Sequence, residues 1–210
     1  MLIEVELLEQ IGETHQGIFD LSFFKIVPNI TIMAPKDFKE LEDMMDFAVE
    51  IKSPIVIRYP RGGESKEKFE IHNTIELGKC EVLKEGKDIT IITIGNQVSK
   101  GIELSNDLAK EEINADVINV RFLKPFDKEK ILEYILKTKF VVTLEDNTLV
   151  GGLGSEIKDL IIEKEIKDVK IKCYGYPDVF VEHGSPSELE KLYNLDEKTI
   201  LNDILKEKNK

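Results

Sequence analysis

Asp88-Ile89-Thr90-Ile91-Ile92-Thr93-Ile94-Gly95 decides the fold. Four isoleucines in one short run, closed by a glycine, read as a strand buried on both faces, as in parallel sheets. Helical spacing follows, with Val98, Ile102, Leu108 and Ala109 on one stripe that ends near Glu112. The alternation then repeats. Ala115 to Val120 reads as a strand, and Asp127 caps a helix carrying Ile131, Leu132, Ile135 and Leu136. Phe140 to Leu144 reads as a strand, and Gly151 to Glu163 passes through a glycine turn into a helix with Leu153, Ile157, Leu160 and Ile161. Val169 to Tyr174 is a last strand before two short helices. Strand and helix in turn predict an open, mostly parallel α/β sheet over residues 78–205, with helices on both faces.

Upstream, Ile30 to Met33 is a β-rich run stopped by Pro35, and Asp37 opens a helix with Phe38, Leu41, Met45 and Ala48 on its apolar stripe. Ile55-Val56-Ile57 is the next strand. This strand–helix–strand unit suits a right-handed crossover, but residues 1–62 are too few to complete a sheet and core of their own. Residues 63–77, entered through Gly62-Gly63 and rich in alternating charge, read as a linker. Residues 206–210 read as a solvated helix tail.

The 210 residues are 41% hydrophobic and 33% charged, and 29 basic against 41 acidic side chains give a net charge of −12. That balance argues against a general nucleic-acid binder. Met1 to Gln10 is too short, and too interrupted by Glu4, Glu6 and Glu9, to be a signal peptide or a membrane span, so a cytoplasmic protein is expected. Cys80 and Cys173 have no CxxC partner, which suggests two free thiols and no zinc.

Candidate chemistry gathers in Thr14-His15-Gln16-Gly17-Ile18-Phe19-Asp20-Leu21-Ser22 and in Arg58-Tyr59-Pro60-Arg61-Gly62. A histidine can exchange a proton near neutral pH, and an arginine fork can hold a phosphate or carboxylate. Composition alone leaves His15 open between a structural and a chemical role, and Arg58 and Arg61 open between anion binding and surface ion pairs. Gly151-Gly152-Leu153-Gly154-Ser155 is either a tight turn or an anion contact, without GxGxxG spacing or a Walker lysine. Glu145-Asp146-Asn147 suits turn and cap chemistry or a cation site at a strand end. In Glu182-His183-Gly184-Ser185, Ser185 with Glu188 makes a capping box, and His183 is a local hydrogen-bonding residue or a base. His72 reads as solvated. No metal motif accompanies these residues.

The two stretches, together with Pro28-Asn29, Ala34-Pro35, Thr93-Ile94-Gly95-Asn96, Asn119-Val120-Arg121-Phe122-Leu123-Lys124-Pro125, Glu145-Asp146-Asn147, Gly151-Gly152 and Asp178 to Ser185, closely resemble the 1-deoxy-D-xylulose-5-phosphate synthase family. The likeness covers roughly residues 12–205. It implies a transketolase-type enzyme using thiamine diphosphate and Mg²⁺, which joins pyruvate to glyceraldehyde 3-phosphate with loss of carbon dioxide for isoprenoid, thiamine and pyridoxal synthesis. It implies that residues 1–62 correspond to the end of a pyrimidine-binding domain and 78–205 to a transketolase C-terminal domain that helps pair two subunits into a homodimer. His15 is then the catalytic acid–base or oxygen-stabilising group, and Arg61, with Arg58, holds the substrate phosphate. Two departures stand out. Where the family reads DGxTH this chain has Ile11, and Leu2 to Ile11 resembles nothing in it. The family's activating glutamate, stacking aromatic and GDG motif lie upstream of the matching stretch. The implied piece is a C-terminal fragment, inactive alone and binding no cofactor by itself. Its alternatives are a non-catalytic assembly module and the C-terminal subunit of a split transketolase.

Overall fold

A computed structural model of the chain describes residues 1–5, 16–60, 69 and 73–208. Its first sheet begins with β1 (Leu2–Val5). A short 3-10 turn at Gly17–Phe19 then leads into α1 (Asp20–Lys25), β2 (Thr31–Met33), α2 (Phe38–Glu50) and β3 (Ile55–Pro60). β3 pairs in parallel with β1 on one side and β2 on the other. α2 starts where expected, the Asp37 carboxylate accepting the Glu40 amide at 2.7 Å. Its buried face is rotated from the expected stripe. Leu41, Met44, Phe47, Ala48 and Ile51 pack against Met33, Ile55 and Ile57, whereas Phe38 and Met45 are exposed.

The second sheet is built from β4 (Glu81–Lys84), β5 (Ile89–Thr93), β6 (Ala115–Asn119), β8 (Phe140–Thr148) and β9 (Lys170–Tyr176), with β7 (Phe122–Lys124) set apart from it. Its helices are α3 (Gln97–Lys110), α4 (Lys128–Thr138), α5 (Leu153–Glu163), α6 (Pro186–Leu192) and α7 (Glu197–Lys208). The strand order is β4-β6-β5-β8-β9, parallel except for β4. The isoleucine run explains the two-sided core. Ile92 and Ile94 face Ile131, Ile135, Leu153, Ile157 and Leu160 of α4 and α5. Ile89 and Ile91 face Leu104 and Leu108 of α3 and Ile200 and Ile204 of α7. Each such side chain, fully buried, contributes about 1.5–3 kcal/mol of apolar transfer free energy. β8 runs to Thr148, beyond the expected Leu144, and carries Glu145-Asp146-Asn147 inside the strand.

The sheets are joined by β7. Arg121 adopts a left-handed φ of 58°, which turns the chain out of β6, and Phe122–Lys124 pairs antiparallel with β2 in the first sheet. Phe122 packs edge-on against Phe47 of α2, with ring centroids 5.8 Å apart. The last residues of the expected linker pack here as well, with Ile75 buried in the same cluster; residues 63–68 and 70–72 lie outside the described set. No helix among the described residues is long and apolar enough to cross a membrane.

Candidate active site at the junction of the sheets

β3 ends in Arg58-Tyr59-Pro60 at the junction, and Arg58 is only 3% exposed. Its Nη1 meets the Asp146 carboxylate, and its Nη2 donates to the Asp146 carbonyl at 3.0 Å and the Gly17 carbonyl at 3.4 Å. Arg58, expected to hold substrate phosphate, is desolvated here: its Nη1 and Nη2 meet protein acceptors, and its buried Nε has no hydrogen-bond partner among the described residues. His15 and Arg61 lie outside the described residues, while their neighbours Gln16 and Pro60 are placed. Gln16 is buried and donates from Nε2 to the Glu182 carbonyl at 2.9 Å. Ile18 packs among Tyr176, Val181, Leu189 and Leu195, so the turn after His15 is seated on the second sheet's end.

The strand-end acids are settled by their partners. Glu145 accepts the Leu153 and Gly154 amides at 2.8 and 2.9 Å, filling the N-terminus of α5 with a carboxyl from its own chain. The glycine turn makes room for it: a Cβ on Gly152 would lie 2.0 Å from Glu145 Oε2. That is the tight-turn reading of the glycines. Burial pushes the Glu145 carboxyl up from an ordinary 4.5 to about 7; the two helix amides and Arg58 oppose the rise, and Asp146 adds to it. Burial likewise raises Asp20, with Arg58 opposing and Asp146 adding. Asn147 donates to Ser22 Oγ at 2.8 Å, and Ser22 Oγ donates to the Val150 carbonyl at 2.6 Å.

The raised Glu145 value fixes a sign. The fold favours the protonated group, so its stabilisation is complete below the ordinary value and is lost as the pH rises through about 7. In urea unfolding, Glu145→Gln is expected to gain on the wild type from about pH 5 to about pH 8. A constant difference across that range would exclude a raised Glu145.

Ser185 and Glu188 form the capping box of α6, with the Ser185 amide 3.1 Å from Glu188 Oε2. His183 is exposed, and His72 lies outside the described residues. Cys80 and Cys173 are free and half-buried, and burial, helped by Asp127, pushes the Cys80 thiol up to about 12, which keeps it protonated near neutral pH.

Among the described residues, no group of three or more His, Cys, Asp or Glu could hold a metal ion. At the junction the N-terminus of α5 is taken by Glu145 and the Asp146 carboxylate by Arg58, so neither is offered to a diphosphate or to Mg²⁺.

Sequence reasoning missed a second junction cluster. Lys36 Nζ lies 3.1 Å from Glu40 and 3.0 Å from Glu81, and Arg121 lies 2.6 Å from Glu40 and 3.0 Å from Glu81. Asn119 donates to both Glu40 oxygens at 3.1 Å, and Asn73 donates to Glu81 at 2.8 Å. The available signal was Arg121 itself, a charge set between Val120 and Phe122 in an apolar run.

Comparison with known proteins agrees with this arrangement. The model of the transketolase C-terminal domain matches residues 78–200, and that of the transketolase pyrimidine binding domain matches residues 7–63. The second match starts at residue 7, ahead of the Gly12 at which the motif likeness begins. The 1-deoxy-D-xylulose-5-phosphate synthase of Desulforudis audaxviator is 42% identical over 200 residues, 95% of this chain and 32% of its own length. That of Halothermothrix orenii is 44% identical over 196 residues, 93% of this chain and 31% of its own. The chain thus spans about a third of the length of these curated relatives. A solved structure described as a split gene transketolase, inactive beta4 tetramer, superposes with a TM-score of 0.87 at 32% identity, covering 98% of this chain and 65% of that one. The transketolase of Campylobacter jejuni shares the fold, with a TM-score of 0.74 at 21% identity over 98% of this chain and 31% of its own. On the sequence, the two-sheet fold and these matches together, the chain belongs to the transketolase family, and the curated relatives it resembles there are 1-deoxy-D-xylulose-5-phosphate synthases.

Proposed function

We propose that this chain acts as the C-terminal part of a cytoplasmic 1-deoxy-D-xylulose-5-phosphate synthase, the thiamine-diphosphate enzyme that condenses pyruvate with glyceraldehyde 3-phosphate and releases carbon dioxide. The observation that carries the reading is the 3.4 Å contact from Arg58 Nη2 to the Gly17 carbonyl. It ties the Gly17 turn to β3, and this supports a reading in which His15 and Arg61, next to those two segments in sequence, act together. In this reading His15 exchanges a proton with, or donates to, an oxygen of the reacting carbons. Arg61 holds the phosphate of glyceraldehyde 3-phosphate through a charge-assisted fork. Arg58 ties the Gly17 turn and β3 to Asp146 of β8. Thiamine diphosphate and Mg²⁺ take their anchors from outside the described residues, and the working unit pairs with a second copy of itself.

The likeness to the split gene transketolase favours a second reading, in which this chain is the C-terminal subunit of a split enzyme of that type. One experiment addresses both. Alone, the chain is expected to give no heat with thiamine diphosphate and Mg²⁺ in calorimetry, and micromolar binding would refute the assignment of the anchors elsewhere. Supplied with a polypeptide carrying the upstream two-thirds of a related synthase, it is expected to form 1-deoxyxylulose 5-phosphate from pyruvate and glyceraldehyde 3-phosphate. Ketol transfer from a ketose phosphate, with pyruvate ignored, would favour the split transketolase.

A further inference from the structure

Asp146 belongs to β8 in the second sheet, yet its carboxylate and its carbonyl both meet Arg58 of the first. The same guanidinium reaches Gly17 O, which also accepts the Asp20 amide at the end of the 3-10 turn. One planar fork thereby joins β8, the end of β3 and the turn that starts two residues after His15. A lysine would offer a point charge and no fixed angle between its bonds. The next residue of β8 continues the pattern. Asn147 bonds Ser22, and Ser22 bonds Val150, so Ser22 is tied to Asn147 directly and Gly17 to the preceding Asp146 through Arg58. Apolar packing of Ile18 and Leu21 would bury the segment without fixing the direction of the Gly17 carbonyl.

We infer that Asp146 is a positioning residue for the site: acting through Arg58, it fixes the backbone on two flanks, the turn that follows His15 and the strand end that precedes Arg61. The inference rests on the roles proposed above for those two residues and deepens them. Its physical basis is the cost of the alternative. A buried guanidinium without its carboxylate moves toward water or another acceptor, and Gly17 and β3 are what it would carry with it.

The test uses the full chain, labelled for NMR, as wild type, Asp146→Asn and Arg58→Lys. Three quantities are read: amide exchange at Asp20 relative to Ile91 in β5, the titration midpoint of the His15 ring, and the shift of the Arg61 side chain on adding inorganic phosphate. Both variants are expected to speed Asp20 exchange about tenfold relative to Ile91. Both are expected to move the His15 midpoint by about half a unit and to weaken the phosphate response about fivefold. Arg58→Lys keeps the charge and separates loss of the fork from loss of the ion pair. Protection retained at Ile91 shows which variants are folded. Unchanged Asp20 exchange and an unchanged His15 midpoint in a folded variant would overturn the inference. Absence of any phosphate response in the wild type would remove the role given to Arg61, and the exchange and titration results would still decide the role of Asp146.

Discussion

Arg121→Ala is expected to destabilise the chain by about 3–5 kcal/mol, the range for breaking a buried ion pair from one side. The side chains of Lys36, Glu40, Glu81 and Arg121 are all at most 3% exposed, and they form a closed set of two cations and two anions. Without Arg121, Lys36 alone would face two buried carboxylates. Burial raises the Glu81 carboxyl, but Arg121 and Lys36 outweigh it and hold the group below its ordinary value. A depressed carboxyl contributes stability that is present above the ordinary value and lost as the pH falls through the folded one. The deficit of Arg121→Ala is therefore expected to shrink in acid. Urea unfolding at neutral and acid pH measures both parts. A neutral-pH loss under about 1 kcal/mol would mean that the cluster is a solvated surface network.

His15→Ala is expected to lower kcat by about 10²–10⁴-fold in a catalytic unit containing this chain, as for loss of a proton-transfer group. Arg61→Ala is expected mainly to raise KM for glyceraldehyde 3-phosphate, by about 10²-fold, because a phosphate fork acts equally on bound substrate and transition state. An acceptor lacking phosphate separates the two. The Arg61→Ala penalty should vanish with it, and the His15→Ala penalty should persist. Equal penalties for both variants on both acceptors would show that these roles are misassigned.

Local chemistry was legible wherever one segment sets its own environment. The alternating faces of Ile89 to Ile94 appear as two cores, and Asp127 and Ser185 cap the helices they precede. The phase of α2 was harder to read. With Phe38, Leu41, Met44, Met45, Phe47, Ala48 and Val49 all apolar, two stripes compete, and packing against Met33, Ile55, Ile57 and Phe122 selects Met44 over Met45. Arg58 shows the same limit at the site. An arginine that meets a substrate and one that meets Asp146 from a distant strand read identically in sequence. Likewise, nothing near Lys36 announces Glu81 or Arg121, because long-range pairing is set by the sheets and not by spacing.

The passage of the chain back through β7 has a consequence for how the protein is made. When Met1 to Pro60 has left the ribosome, β2 still has one unpaired edge, the kind of surface that invites pairing with a stray strand. Its partner, Phe122–Lys124, is synthesised only after β4, β5, α3 and β6. Glu40 waits as well, since Arg121 and Asn119 emerge with that later segment. The earlier of the two sheets in this chain thus keeps one edge open until β6 of the other has been made.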